Sequence, residues 1–220
     1  MKTDSQLQQD VIAELQWEPS VHAAHIGVVV KDGVVTLAGQ VDSYWEKWNA
    51  EQATLRVTGV KAMTTSLKVQ LTSLSQRTDA DIAQAARNAL EWTSSIPANS
   101  VTVMVESGMV TLSGDVDWQY QRQAATDSVR HLMGVMGVSN QISIQHSVAA
   151  VMATSVKSDI EAALLRTSIA DAVNISVAVQ GSVVTLSGTV HSWGERDKAT
   201  YAAWGTPGVY NVVDNMTMVY

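Results

Sequence analysis

Lys31-Asp32-Gly33-Val34-Val35-Thr36-Leu37-Ala38-Gly39-Gln40-Val41 is answered further along the same chain by Glu106-Ser107-Gly108-Met109-Val110-Thr111-Leu112-Ser113-Gly114-Asp115-Val116. It is answered again by Gln180-Gly181-Ser182-Val183-Val184-Thr185-Leu186-Ser187-Gly188-Thr189-Val190. Each stretch opens on a two-residue turn that contains glycine, the signature of a tight β-hairpin. A strand follows in which Val35, Leu37, Gly39 and Val41 share one face. Thr36, Ala38 and Gln40 share the other, with Thr111, Ser113, Asp115 and Thr185, Ser187, Thr189 in the later stretches. The first face reads as core. The second is small and polar, and reads as solvated or as a contact surface. Gly39, Gly114 and Gly188 sit on the core face, where a missing side chain is expected to let a helix approach the sheet.

Outward from the turn, the register holds. Thr36, Thr111 and Thr185 are spaced 75 and 74 residues apart, and the same spacings relate Leu15, Leu90 and Leu164 upstream and Gly59, Gly134 and Gly208 downstream. The chain is therefore three copies of one unit. Upstream of the hairpin, Leu7, Val11 and Leu15 recur as Ile82, Ala86, Leu90 and as Val156, Ile160, Leu164, a spacing that marks one face of an amphipathic helix. Thr78-Asp79 supplies a capping start for the second of these helices. Between helix and turn, Ile26, Val28 and Val30 alternate as a strand does, as do Val101, Val103, Val105 and Ile175, Val177, Val179.

Downstream, a second helix is expected from about residue 43 to 58, stopping at Gly59 as a C′ glycine. A last strand follows, with Met63, Leu67, Val69 inward in the first copy, Val138, Ile142, Ile144 in the second and Val212, Met216, Met218 in the third. The order is α-β-β-α-β. The hairpin is antiparallel, and a right-handed crossover lays the last strand parallel to the second. The predicted fold class is α+β: three tandem domains, 1–71, 76–146 and 153–220, each a mixed three-stranded sheet with two helices on one face. So small a unit has a marginal core. The connectors Gln70–Arg77 and Gln145–Thr154 are short, so packing between copies is expected to add stability.

Composition narrows the function. Hydrophobic residues make up 46% and charged residues 16% of the chain, as in a folded globular protein. The net charge of −7 disfavours nucleic acid as a partner and weakens simple electrostatic docking on anionic lipid. The absence of cysteine excludes disulfides, thiolate catalysis and cysteine zinc sites. No apolar run follows the N-terminus as a signal peptide would require, and none reaches the roughly 20 residues of a membrane span. The expected compartment is the cytoplasm, or the periplasm or exterior if the chain is a processed form.

The hairpin followed by Val-Thr-Leu-x-Gly-x-Val, then a charged helix, then Gly-Val and a final strand with Asn or Asp, resembles the BON domain family. Gly134-Val135 through Asn140 and Gly208-Val209 through Asp214 carry the last part. The resemblance covers nearly the whole chain, three times over. It implies the same α-β-β-α-β fold. It also implies binding instead of catalysis: association with phospholipid membranes, the bacterial envelope and osmotic stress, and in one type potassium binding. That type also carries a LysM module, which this chain lacks, and many members carry a secretion signal, which is not seen here.

The residues themselves offer little chemistry. His22, His25, His131, His146 and His191 do not recur at one position, and the His22-x-x-His25 pair, which would need further ligands close by to hold a metal, reads as solvated loop histidines. Asp42 with Glu46, Asp117 with Gln121 and His191 with Glu195 do not repeat a catalytic pair. No nucleophile elbow, phosphate-binding glycine loop or dinucleotide fingerprint is present. No catalytic residue, cofactor or metal is expected, and the chain reads as a non-enzyme. One basic position recurs early in the second helix, as Lys47, Arg122 and Arg196. It is read as a solvated helix face or a partner for a nearby carboxylate, with contact to an anion or lipid headgroup as the alternative. Beside it stand Tyr44, Trp45 and Trp48, then Trp118 and Tyr120, then Trp193. Tryptophan favours interfaces and membrane headgroup depth. These nine residues are candidates for lipid or partner contact, with inter-repeat packing as the other reading. Trp17 and Trp92, equivalent at the ends of the first helices, are expected to be packed.

Three readings stand. The first is a stress- or envelope-associated binding module, with phospholipid or an envelope component as partner. The second is a structural protein that self-associates head to tail, since stacked copies would leave complementary ends. The third is a cytoplasmic protein that responds to potassium.

Overall fold

A computed structural model of the chain describes residues 2–145, 153–166 and 174–219. The first copy runs α1 (Asp4–Trp17), β1 (Ile26–Lys31), β2 (Val34–Val41), α2 (Tyr44–Arg56), β3 (Ala62–Val69). The second runs α3 (Asp79–Trp92), β4 (Val101–Glu106), β5 (Met109–Val116), α4 (Gln119–Arg130), β6 (Gly137–Ile144). The third runs α5 (Ala153–Arg166), β7 (Ile175–Gln180), β8 (Val183–Val190), α6 (Trp193–Trp204), β9 (Asn211–Met218). The three sheets are ordered β1-β2-β3, β4-β5-β6 and β7-β8-β9. The hairpins are antiparallel, and β3 and β9 run parallel to β2 and β8. The repeated α+β fold is as the sequence implied. Of the second connector, residues 146–152, including His146, lie outside the described residues.

Each core forms where the two periodicities meet. In the first copy Leu7, Val11 and Leu15 of α1 and Ala50 and Ala53 of α2 pack on Val28, Val35, Leu37, Val41 and Leu67 of the sheet. In the third copy Val156, Ile160, Leu164, Ala199 and Ala203 do so on Val177, Val184, Leu186, Val190 and Met216. The helical stripes and the strand alternation thus bury their apolar sides against one another. Thr3 and Thr78 close capping boxes on α1 and α3, with Gln6 and Asp81 as the reciprocal residues.

Two features fix how helix and hairpin join. The carboxylate of Asp4, at the start of α1, accepts the backbone N–H groups of Asp32 and Gly33 at 2.8 and 3.0 Å. Asp79 accepts those of Ser107 and Gly108 at 2.8 and 2.9 Å. Both residues of each of these turns have positive φ, which aims the two N–H groups together. The sequence reading passed over this clasp, and the third copy has Ala153 at the corresponding place.

The recurrent glycines are structural for reasons other than those expected. Gly39, Gly114 and Gly188 do fall in the core-face alternation, but the nearest atoms a side chain there would meet are backbone atoms at the start of the neighbouring strand, not an α-helix. A Cβ at these positions would overlap the carbonyl oxygens of His25, Ser100 and Asn174, which precede the neighbouring strand. Their φ values of 143°, 126° and 121° are themselves accessible mainly to glycine. Likewise α2 ends at Arg56, not at residue 58. Gly59 is the third residue of a β-turn closed by Val60 N–H to Val57 C=O at 3.3 Å. Gly134 and Gly208 occupy the same place in turns closed by Val135 to Leu132 and Val209 to Thr206. Positive φ at that position (107°, 88° and 88°) is what a type II turn requires.

The chain divides into two compact units, Met1–Val116 with Gln121–Ser143, and Asp117–Tyr120 with Ile144–Tyr220.

Candidate interaction surfaces

In the first unit the start of α2 meets the end of α4. Trp45 and Trp48 stack with ring centroids 5.2 Å apart and planes 15° from parallel. The His131 ring lies 3.9 Å from Trp45, tilted by 50°. The Arg130 guanidinium sits 4.2 Å over the Trp48 ring, a cation–π contact. Arg130 is 5% exposed, bonds Asp127 at 2.8 Å, and leaves its Nε–H without a partner. Tyr44 receives a backbone hydrogen bond from Val138, while burial pushes its phenol above the ordinary value. Tyr44, Trp45 and Trp48 are accordingly half-buried. They join the first copy to the second.

In the first and third copies the recurrent basic position meets a carboxylate of its own copy. Arg196 bonds Asp214 at 2.6 Å and lies 5.0 Å over the Trp193 ring. Lys47 faces Glu51, whose carboxyl is pushed up by burial and pulled back by Lys47 and by a Thr65 hydrogen bond. Arg122 is half-buried, and desolvation lowers its pKa. Thr65, Asn140 and Asp214 stand at one repeated site on the last strand. Asn140 accordingly bonds the Arg122 carbonyl at 3.2 Å and the Thr126 hydroxyl at 2.6 Å.

The carboxylates seen as scattered pairs have a common backbone role. Glu46, 4% exposed, accepts the N–H groups of Asp42 at 2.8 Å and His22 at 2.7 Å, and lies 2.9 Å from His22 Nδ1. Glu195 accepts the N–H of His191 at 2.8 Å. Ser43 and Ser192 cap the same helices from the other side. The pattern Ser-x-x-Glu, at Ser43 and Ser192, is the legible signal that could have revealed this. His22, Asp42 and Glu46 present ligand atoms within 4.8 Å of one another. The Glu46 oxygens are already occupied by the two backbone N–H groups and the imidazole. His25 stacks on His22 at 6.3 Å and is not part of that group.

Trp17 and Trp92 are not packed, contrary to expectation. They are 81% and 88% exposed. Each caps the end of a helix whose apolar stripe runs out two residues earlier, at Leu15 and Leu90, so the ring falls off the buried face.

In the second unit Trp118, Gln119 and Tyr120 line a cavity with Tyr201, Trp204 and Gly205. Trp118 and Trp193 are half-buried, and Tyr120 is exposed. Among the described residues no helix is long and apolar enough to cross a membrane.

These features define a tandem-repeat α+β protein whose conspicuous side chains are aromatic, lying at junctions and on open surface, and whose carboxylates at helix starts hold backbone. The BON domain model matches residues 3–70, 78–146 and 153–220, and the chain belongs to that family. It is similar to the osmotically-inducible protein Y of Escherichia coli (strain K12), at 29% identity over 143 residues, 63% of this chain and 71% of that protein. Among solved structures, it was matched to CdsD, a structural protein of the type III secretion system of Chlamydia trachomatis. The identity is 13%, with 96% of this chain and 91% of that one covered and a TM-score of 0.28. A second match, to the C-terminal domain of CdsD, has 14% identity, full coverage of both chains and a TM-score of 0.27.

Proposed function

We propose that this chain is a non-catalytic, stress- or envelope-associated binding protein that contacts phospholipid through Trp17 and Trp92. The exposure of two tryptophans at one equivalent position in two copies carries this reading. An indole held in water at the end of a helix leaves a large amphipathic surface uncovered, of the kind that settles at headgroup depth. Membership of the BON family and likeness to an osmotically inducible relative point the same way. With a net charge of −7, the contact is expected to rest on apolar insertion more than on anionic headgroups. Of the helix-two set, Tyr44, Trp45 and Trp48 are occupied by the second copy. Trp118, Tyr120 and Trp193, with Lys47, Arg122 and Arg196, are secondary contact candidates.

The test is flotation of the full chain with vesicles of zwitterionic phospholipid. Wild type is expected to float with them and the double variant Trp17→Ala, Trp92→Ala to remain in solution with unchanged circular dichroism. Equal flotation of both proteins, or none by the wild type, would remove the proposal.

A further inference from the structure

We infer that the cavity of the second unit binds a methylated ammonium group. All six lining residues belong to that unit, and four are aromatic: Trp118, Tyr120, Tyr201 and Trp204. The cavity measures about 330 Å³, at the small end of ligand sites, which span about 300–1,000 Å³. Tyr201 is 70% exposed although aromatic, so its ring forms a reachable wall instead of a core contact. Gln119 lines the cavity too, and its Oε1, which has no exposed surface of its own, has no hydrogen-bond donor.

Elimination among ligand classes then follows from charge and shape. Among the described residues no charged side chain lines the cavity. An anion would meet the electron-rich ring faces and the bare Gln119 oxygen with nothing to neutralise it. A purely apolar ligand would leave that oxygen buried and unsatisfied. A small hydrated metal ion would need several oxygen ligands, carboxylates above all, and the lining offers no carboxylate, only the Gln119 amide and the Tyr120 and Tyr201 phenols. A trimethylammonium group suits all of it. Its diffuse positive charge lies on aromatic faces, the arrangement used by aromatic cages for quaternary ammonium ligands. The unpartnered Gln119 Oε1 behind the lining adds a negative potential that favours a cation in the cavity. The C-terminal end of α6, at Trp204 and Gly205, adds the negative end of a helix dipole and offsets the opposite field where α4 begins.

Such a group is carried by small solutes and by phosphatidylcholine headgroups. The site is separate from Trp17 and Trp92, so either proposal can fail alone. The experiment is calorimetric titration of the full chain with tetramethylammonium chloride. Sodium chloride at equal ionic strength and neopentyl alcohol, a neutral molecule of nearly the same shape, serve as controls. Saturable binding is expected for tetramethylammonium alone. It should weaken at least about fivefold in Tyr201→Ala, persist in Tyr201→Phe and tighten in Gln119→Glu. Equal binding of neopentyl alcohol, no saturable binding, or indifference to Tyr201→Ala would overturn the inference. Once binding is shown, choline that displaces the chain from phosphatidylcholine vesicles assigns the group to the lipid. Choline that binds without displacement assigns it to a free solute.

Discussion

The indole of Trp45 and the imidazole of His131 lie with ring centroids 3.9 Å apart, although one belongs to the first copy and the other to the second. With Arg130 over Trp48, they join two domains whose separate cores are small. Trp45→Ala is expected to destabilise the first unit by about 1–3 kcal/mol, less than for a fully buried tryptophan. Its melting should become broader or split as the copies uncouple. A single transition at the wild-type temperature in calorimetry would show that the contact carries no coupling.

Gly114 is expected to tolerate no side chain. Gly114→Ala meets both a positive φ and the Ser100 carbonyl oxygen, and should cost about 2–5 kcal/mol. Denaturant unfolding measures it. A loss below about 0.5 kcal/mol would contradict the backbone clash, since that is the range of ordinary surface changes.

Asp79→Ala removes two charge-assisted hydrogen bonds to the Ser107–Gly108 turn and should cost about 1–3 kcal/mol. Hydrogen exchange at the Ser107 and Gly108 amides should rise with it. Unaltered exchange there would mean that the turn holds its own geometry without the carboxylate.

Glu51 gives a pH signature. Burial raises its carboxyl above the ordinary glutamate value, so the folded state holds this proton more tightly than the unfolded chain does. The associated stability is therefore present below about pH 4.5 and is lost as pH rises through the folded value. At neutral pH the half-buried charge is a burden, so Glu51→Gln is expected to raise the melting temperature there and narrow its advantage in acid. A variant less stable than wild type at pH 7 would show that the attraction to Lys47 outweighs desolvation.

The sequence by itself determined the repeat, the element order and the core. Leu7, Val11 and Leu15 repeat at helical spacing and Val35, Leu37 and Val41 at strand spacing, and periodicity is a local property that survives without knowledge of neighbours. It also marked Gly39 and Gly59 as fixed points. What only the tertiary structure decided is what each marked residue meets. Gly39 is required by the carbonyl of His25, fourteen residues earlier and just ahead of β1, not by a packed α-helix. Asp4 reaches a turn 28 residues away, and Trp45 reaches the second copy. Trp17 and Trp45 look alike in sequence, yet one is open to solvent and the other half-covered. That difference depends on whether another surface arrives over the ring, and surfaces are brought together by packing between elements, which no local pattern records.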